Sequence, residues 1–338
     1  MKKVLVTGGC GFIGSNLTKA LVKKGWQVDV VDDMSNGHYE LLEGLNTRIL
    51  PNGSFYDAYQ YTLMSEGKER PQDEVLLIQD DFANDNTCNA LMQGMYDIVF
   101  HQAAVPRVSY SVEQPYHTTY VNIGKTVKLF QAARGGVNKI IWASSSSVYG
   151  GASVLPTPEL CEKNPKSPYA WQKSAIEDFA KLSCQLYDLD IVCLRYFNVF
   201  GPGQYGDSPY ATAVSAWCNA ISNGLECRSD GDGLQTRDMC YVDNVVSANI
   251  LAAISDKKFK GECYNISCGR RTSNREILEA MKERFGEKVR VKNAPERPGD
   301  VKHTLADWSK AKKDFGYEPL VHFWEGLEKT YEWWGLND

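Results

Sequence analysis

Near its start the chain carries Val4-Leu-Val-Thr-Gly-Gly-Cys-Gly-Phe-Ile-Gly14, an apolar strand pattern that runs into closely spaced glycines and then a helical pattern from Ile13 to Lys24. Few arrangements satisfy that order. Gly8, Gly11 and Gly14 lack Cβ atoms, so the chain can turn sharply, admit an anion against its backbone and pack the helix on the sheet. The helix start, with Phe12 and Ile13 in its first turn, aims unpaired N–H groups at a phosphate. Glycine spacing alone fits any strand-to-helix turn, but the context is more specific. A second strand, Gln27 to Val31, ends at Asp32, close to the roughly 20-residue offset of an acid that binds a ribose.

A carboxylate that accepts hydrogen bonds from ribose hydroxyls repels a 2′-phosphate, and Asp33 and Met34 follow where a phosphate-binding Arg would sit. The dinucleotide expected is therefore NAD rather than NADP, with Asn36 grouped in the same site. At 338 residues and 43% hydrophobic content the chain can bury a large core, as one Rossmann unit plus a smaller domain. A net charge of −5, without a basic stripe interleaved with aromatics, argues against a nucleic-acid partner. No apolar run approaches the roughly 20 residues that span a bilayer, so no membrane partner is expected. Met-Lys-Lys-Val leads into a strand rather than a signal peptide, and the expected location is cytoplasmic. Ten cysteines without a Cys-x-x-Cys pair read as buried reduced thiols, with no metal site.

Strand and helix patterns alternate through Val4–Thr7, Gln27–Asp32, Val75–Ile78, Ile98–His101, a helix Thr119–Arg134 and Lys139–Ala143. This alternation predicts an α/β fold with a parallel, doubly wound sheet. The stretch from Tyr39 to Asp73 exceeds a simple connection, and with Pro51-Asn-Gly53 and Glu66-Gly-Lys-Glu-Arg70 it reads as an inserted excursion. Gln79-Asp-Asp-Phe82 closes the third strand, placing Phe82 by the cofactor, while Asp81 either meets the adenine amino group or caps the next helix. At the fourth strand end, Gln102, Ala103 and Ala104 leave room for a flat ligand, and His101 reads as structural. Asn122 lies in an apolar helix, where contact with backbone and contact with cofactor stand as equal readings. Later, Pro202-Gly-Gln-Tyr-Gly206 and a helix Ala211–Asn223 open a substrate domain. The expected division is 1–196, with 238–267 returning to it, for cofactor, and 197–237 with 268–338 for substrate.

Ile140-Ile-Trp-Ala-Ser-Ser-Ser-Ser-Val-Tyr149 is a strand that ends in four hydroxyls, and Tyr169-Ala-Trp-Gln-Lys173 follows. Spacing of four on a helix puts phenol and ammonium on one face. Lys173, together with a positive nicotinamide ring, is expected to pull the Tyr169 pKa down from about 10, making Tyr169 an acid/base for a sugar hydroxyl.

Taken together, these motifs resemble the extended short-chain dehydrogenase/reductase superfamily across essentially the whole chain. Ser144-Ser-Ser-Ser-Val-Tyr-Gly150, Leu194-Arg-Tyr-Phe-Asn-Val-Phe-Gly-Pro202, Arg237-Asp-Met-Cys-Tyr-Val-Asp243 and Arg297-Pro-Gly-Asp-Val-Lys-His-Thr-Leu-Ala-Asp307 are similar to NAD-dependent nucleotide-sugar 4-epimerases, most of all the UDP-N-acetylglucosamine 4-epimerase group. The resemblance implies Ser145, Tyr169 and Lys173 as the catalytic set, Ser146 as an assistant, and Ser144 and Tyr196 beside the cofactor. It also implies Asn198, Arg237, Arg297 and Asp300 as UDP contacts, and a homodimer. Relatives that dehydrate or decarboxylate carry acids where this chain has Ser146 and Ser147, which favours epimerisation. Thr304 stands where epimerases restricted to unsubstituted hexoses tend to carry a tyrosine, so the resemblance implies UDP-GlcNAc/UDP-GalNAc, with UDP-Glc/UDP-Gal a weaker pair. Rival readings are an epimerase of a UDP-uronic acid or CDP-dideoxyhexose, and a non-catalytic NAD sensor.

Overall fold

A computed structural model of the chain describes residues 1–51, 70–106, 108–207, 211–296 and 301–336. The apolar runs become strands β1 (Lys3–Thr7), β2 (Gln27–Asp32), β3 (Asn46–Pro51), β4 (Glu74–Gln79), β5 (Ile98–His101), β6 (Lys139–Ser145) and β7 (Ile191–Tyr196). With the later strand Lys260–Ile266 they make one eight-stranded sheet. Its order is Lys260–Ile266, β7, β6, β5, β1, β2, β4, β3, and every pairing is parallel. Strands β5 and β7 are buried at every position, because helices cover both faces. On one face Leu17 and Leu21 pack with Val242 and Val245; on the other Leu91, Leu129, Phe130 and Ile176 close a second core. Strand order turns back between β1 and β5, the switch point where ligands bind such sheets.

Part of the expected excursion belongs to the main sheet instead. After a short 3-10 turn, Tyr39–Leu42, the chain forms β3, which pairs with β4 from Asn46 opposite Glu74 to Pro51 opposite Gln79. An edge strand needs one satisfied flank and tolerates proline at its end, so its sequence pattern is weak. Residues 52–69, with the Asn-Gly53 turn and most of the charged run, lie outside the described residues. Arg70, the last of that run, is buried, its guanidinium bonded to Asp29 and to the carbonyls of Val28 and Glu74.

The helical stretch around Asn122 begins at Pro115 and passes through a π-type segment, Tyr120–Lys125, before Thr126–Ala133. Beyond β7 the chain leaves the main sheet for three small ones. These pair Val199–Phe200 with Cys240–Tyr241, Thr236–Asp238 with Arg271–Ser273, and Cys227–Asp230 with Val291–Ala294. Helix Val242–Ile254 then packs on helix Phe12–Lys23 and feeds the strand Lys260–Ile266 beside β7. Helix Asn274–Phe285 starts with a capping box in which Ser273 and Glu276 satisfy each other's backbone N–H. Among the described residues, no helix is long and apolar enough to cross a membrane.

Candidate active site

The carboxyl ends of β1, β2, β5 and β6 open on a cleft of about 1410 Å³. Gly8, Gly11, Phe12, Ile13 and Gly14 form one wall. Gly8 adopts a φ of +70°, and a Cβ there would come 2.8 Å from the Ala103 backbone. A Cβ on Gly14 would lie 2.0 Å from the Gly8 carbonyl oxygen. The Phe12–Lys23 helix begins at Gly11 with neither a side-chain cap nor an acid in its first turn, which leaves its N–H groups to an anion. At the tip of β2, Asp32 accepts hydrogen bonds from the Cys10 and Met34 N–H groups, each at 2.9 Å. Burial raises its pKa, and those two donors oppose the rise. Gly37 presses on this acid, since a Cβ there would sit 2.8 Å from Oδ1. A glycine-lined turn, an uncapped helix start and a held acid fit the pyrophosphate and ribose of a dinucleotide.

Asn36, Phe82, Gln102, Ala103 and Ala104 also line the cleft, whereas Asp81 and Asn122 are not on its wall. Asp81 accepts from the Ala83 N–H at 2.8 Å and pairs with Lys125, and the next helix is capped by Asn84 instead. Asn122 turns its amide to backbone, accepting from Val105 N–H at 2.8 Å and donating to Val105 O at 3.0 Å. Its remaining N–H meets buried Gln172 at 2.8 Å. The π-type turn that carries Asn122 thus holds the loop after β5. His101 lies between the Thr7 and Thr126 hydroxyls, and burial lowers its pKa to about 3, so it is neutral.

Ser144, Ser145 and Ser146 line the cleft at the end of β6, facing Tyr169 and Lys173 from the helix Pro168–Tyr187. Ser167 caps that helix and Pro168 fills its first turn, while Ser111 accepts from the Tyr169 N–H at 3.1 Å. Burial pushes the Tyr169 pKa up to about 12, with the Ser145 hydroxyl opposing. Lys173 donates to the Ala143 carbonyl at 2.7 Å and lies 4.8 Å from the Trp142 ring centre, against 5.8 Å for Tyr169. Burial also lowers Lys173 itself to about 7. Burial thus acts on both side chains, raising the phenol and lowering the amine.

Deeper in the cleft, Tyr196 shares hydrogen bonds with Gln102 and Asn249. Asn198 takes a φ of +32° and donates to Asp238 O at 3.2 Å and to Thr304 Oγ1 at 3.1 Å. Thr304 Oγ1 also accepts from the Asp238 N–H at 3.0 Å, so this residue ties two segments as well as being small. Arg237 lines the cleft and donates to the Thr236 and Lys302 carbonyls. Arg297 and Asp300 lie outside the described residues.

Sequence reasoning passed over three buried groups. Glu177 takes two hydrogen bonds from Arg195 and one from Ser144. Asp238 accepts from the Gly269 and Ala306 N–H groups, and burial raises its pKa to about 6. Only Glu177 left a signal, its spacing of four from Lys173; Arg195 and Asp238 meet partners distant in sequence. Among the described residues, no group of three or more His, Cys, Asp or Glu could hold a metal ion.

The family model described as the NAD dependent epimerase/dehydratase family matches residues 4–267. The UDP-glucose 4-epimerase of Mycolicibacterium smegmatis is 33% identical over 98% of this chain and 97% of its own. Among solved structures, the UDP-N-acetylglucosamine 4-epimerase from Methanobrevibacter ruminantium M1, in complex with UDP-N-acetylmuramic acid, superposes with a TM-score of 0.85 at 35% identity, covering 99% of this chain and 98% of that one. The UDP-glucuronic acid 4-epimerase from Bacillus cereus, in complex with UDP-glucuronic acid and NAD, has a TM-score of 0.81 at 29% identity and covers 99% of each chain.

Proposed function

The chain belongs to the NAD-dependent epimerase/dehydratase family, and from that premise we propose that it inverts C4 of a UDP-N-acetylhexosamine, interconverting UDP-GlcNAc and UDP-GalNAc. It is an NAD-dependent UDP-sugar 4-epimerase, an isomerase. The observation that carries the choice of sugar is small Thr304 on the cleft wall beside Asn198, where an N-acetyl group has room. Hydroxyls at Ser146 and Ser147, in place of carboxyls, support epimerisation over dehydration. UDP-Glc/UDP-Gal is assigned as a weaker second pair.

A bound NAD would supply the acceptor and donor of the C4 hydride. Tyr169 takes the proton of the 4-hydroxyl and later gives it back, with Ser145 holding the same oxygen and Lys173 supplying positive charge. Arg237, Arg297 and Asp300 are assigned to grip UDP while the hexose turns its other face, so affinity resides in the part that does not react. Phe12, Ile13, Asp32, Asn36, Phe82, Gln102, Ser144 and Tyr196 are assigned to the cofactor. Cofactor binding is assigned to 1–196 with 238–267, supported by the strand Lys260–Ile266 beside β7, and substrate binding to 197–237 with 268–338.

Two further readings complete the picture. Exposed Tyr116, Tyr120, Trp171, Leu182 and Leu186 on neighbouring helices support a face for a second copy, which light scattering at twice the chain mass will register. Free thiols at all ten cysteines support a reducing, cytoplasmic setting.

The test is an NMR time course of purified protein with UDP-GlcNAc, first without and then with added NAD. The expected result is the anomeric proton of UDP-GalNAc. Turnover of UDP-Glc or UDP-glucuronate with none of UDP-GlcNAc overturns the choice of sugar.

A further inference from the structure

Glu177 lies four residues beyond Lys173 and eight beyond Tyr169 on the helix Pro168–Tyr187, so the three side chains form one stripe. The carboxyl is 3% exposed, and none of the catalytic steps above uses it. Its Oε1 accepts from Ser144 Oγ at 2.6 Å and from Arg195 Nε at 2.7 Å. Its Oε2 accepts from Arg195 Nη2 at 2.7 Å, with Lys163 Nζ at 3.7 Å. Ser144 and Arg195 are register partners across β6 and β7. The two residues before Ser145 are therefore both pinned to the helix, Ala143 by Lys173 and Ser144 by Glu177.

We propose that Glu177 is a positioning residue for the reaction: it fixes the β6 tip that carries Ser145 and places an acidic side chain one helical turn from Lys173. The proposal rests on the assignment of Tyr169 and Lys173 as the reactive pair. The groups facing Lys173 are few. Tyr169 and Glu177 come from its own helix, Cys193 from β7, neutral His101 from β5 and the Trp142 ring from β6, with Arg195 of β7 behind the Glu177 carboxylate. Burial pulls Lys173 toward neutrality, and the Glu177 charge is the foremost influence against it. Arg195 meets both Glu177 carboxyl oxygens, at 2.7 Å each, so neither buried group stands alone.

The experiment follows Lys173 directly, by NMR of protein carrying ε-13C lysine, from pH 6 to 10 in the NAD-loaded form, alongside the pH dependence of kcat. Glu177→Gln keeps the shape and an acceptor for Ser144 but removes the charge. Its Lys173 midpoint should fall by about one pH unit, the size expected on losing a nearby opposite charge. The alkaline limb of kcat should move with it, giving about tenfold lower kcat above that midpoint while KM for the UDP-sugar holds within about twofold. Glu177→Asp should restore the midpoint. Ser144→Ala should lower kcat without moving the midpoint. Should Glu177→Gln fail to fold, Glu177→Gln/Arg195→Gln removes the buried pair together and leaves neither charge stranded, with a smaller shift of the same sign expected. An unmoved midpoint in a folded variant overturns the proposal. Because the NMR reading needs no turnover, failure on UDP-GlcNAc would count against the proposed function and not against Glu177.

Discussion

At the β1 end of the cleft the work is done by main chain: Gly8 at a φ of +70°, Gly14 against the Gly8 carbonyl, and Asp32 held by two backbone N–H groups. At the β6 end it is done by side chains, with Tyr169 and Ser145 on one cleft wall, Lys173 on Ala143, and Glu177 between Ser144 and Arg195. The first end fails when atoms are added, and its failure is steric. The second fails when a charge or hydroxyl is removed, and its failure depends on pH.

The sharpest test of that contrast is Tyr169→Phe, which should lower kcat about 10³-fold while UDP binding by calorimetry is retained, since only the acid/base group is lost. Wild-type turnover would break the assignment of the β6 end. Next is Gly14→Ala, whose Cβ would stand 2.0 Å from a backbone oxygen. It should lower NAD retained through purification at least about tenfold and cost about 1–3 kcal/mol of stability, with no change in pH dependence. Full NAD content would show that the glycine turn is not the seat of the pyrophosphate.

His101 offers a pH-sensitive point between the two ends. Its folded pKa of about 3 lies below the ordinary 6.5, so between these values the unfolded chain binds a proton that the folded one excludes. The stability it contributes is fully present above pH 6.5 and declines as pH falls toward 3. His101→Gln should recover about 2 kcal/mol of the difference in unfolding free energy between pH 7 and pH 5, measured by urea titration. An unchanged difference would mean that His101 is protonated in the fold. The smallest effect is at Thr304. Thr304→Tyr should lower the ratio of kcat/KM for UDP-GlcNAc over UDP-Glc about tenfold, and Thr304→Val, which removes only the hydroxyl, should leave that ratio unchanged. Intact UDP-GlcNAc turnover in the tyrosine variant would defeat the size argument.

Legibility followed the range of the interactions. The glycines Gly8, Gly11 and Gly14, the strand end Asp32 and the pair Tyr169/Lys173 are local patterns, with spacings set by a turn or a helix, and all of these residues line the cleft. Asn122 meets Val105, seventeen residues away, and Asp81 meets Lys125, contacts that no local window contains. Edge strand β3 was read as an excursion because its pattern of Asn46-Thr-Arg-Ile-Leu-Pro51 is short, polar and ends in proline. At Tyr169 the spacing from Lys173 was visible in the sequence, but the depth of burial that raises its pKa was not.

By itself, then, the sequence determined the parallel α/β class, the glycine turn at the end of β1 and the spacing that sets Tyr169 and Lys173 on one helix face, because turn and helix geometry operate within a few residues. Only the tertiary structure decided the buried Glu177–Arg195–Ser144 cluster, the Thr304–Asn198–Asp238 knot and the burial of Tyr169 and Lys173. Those depend on which distant groups share a dry interior, where an unmade hydrogen bond or lone charge is costly, and no spacing along the chain encodes that company.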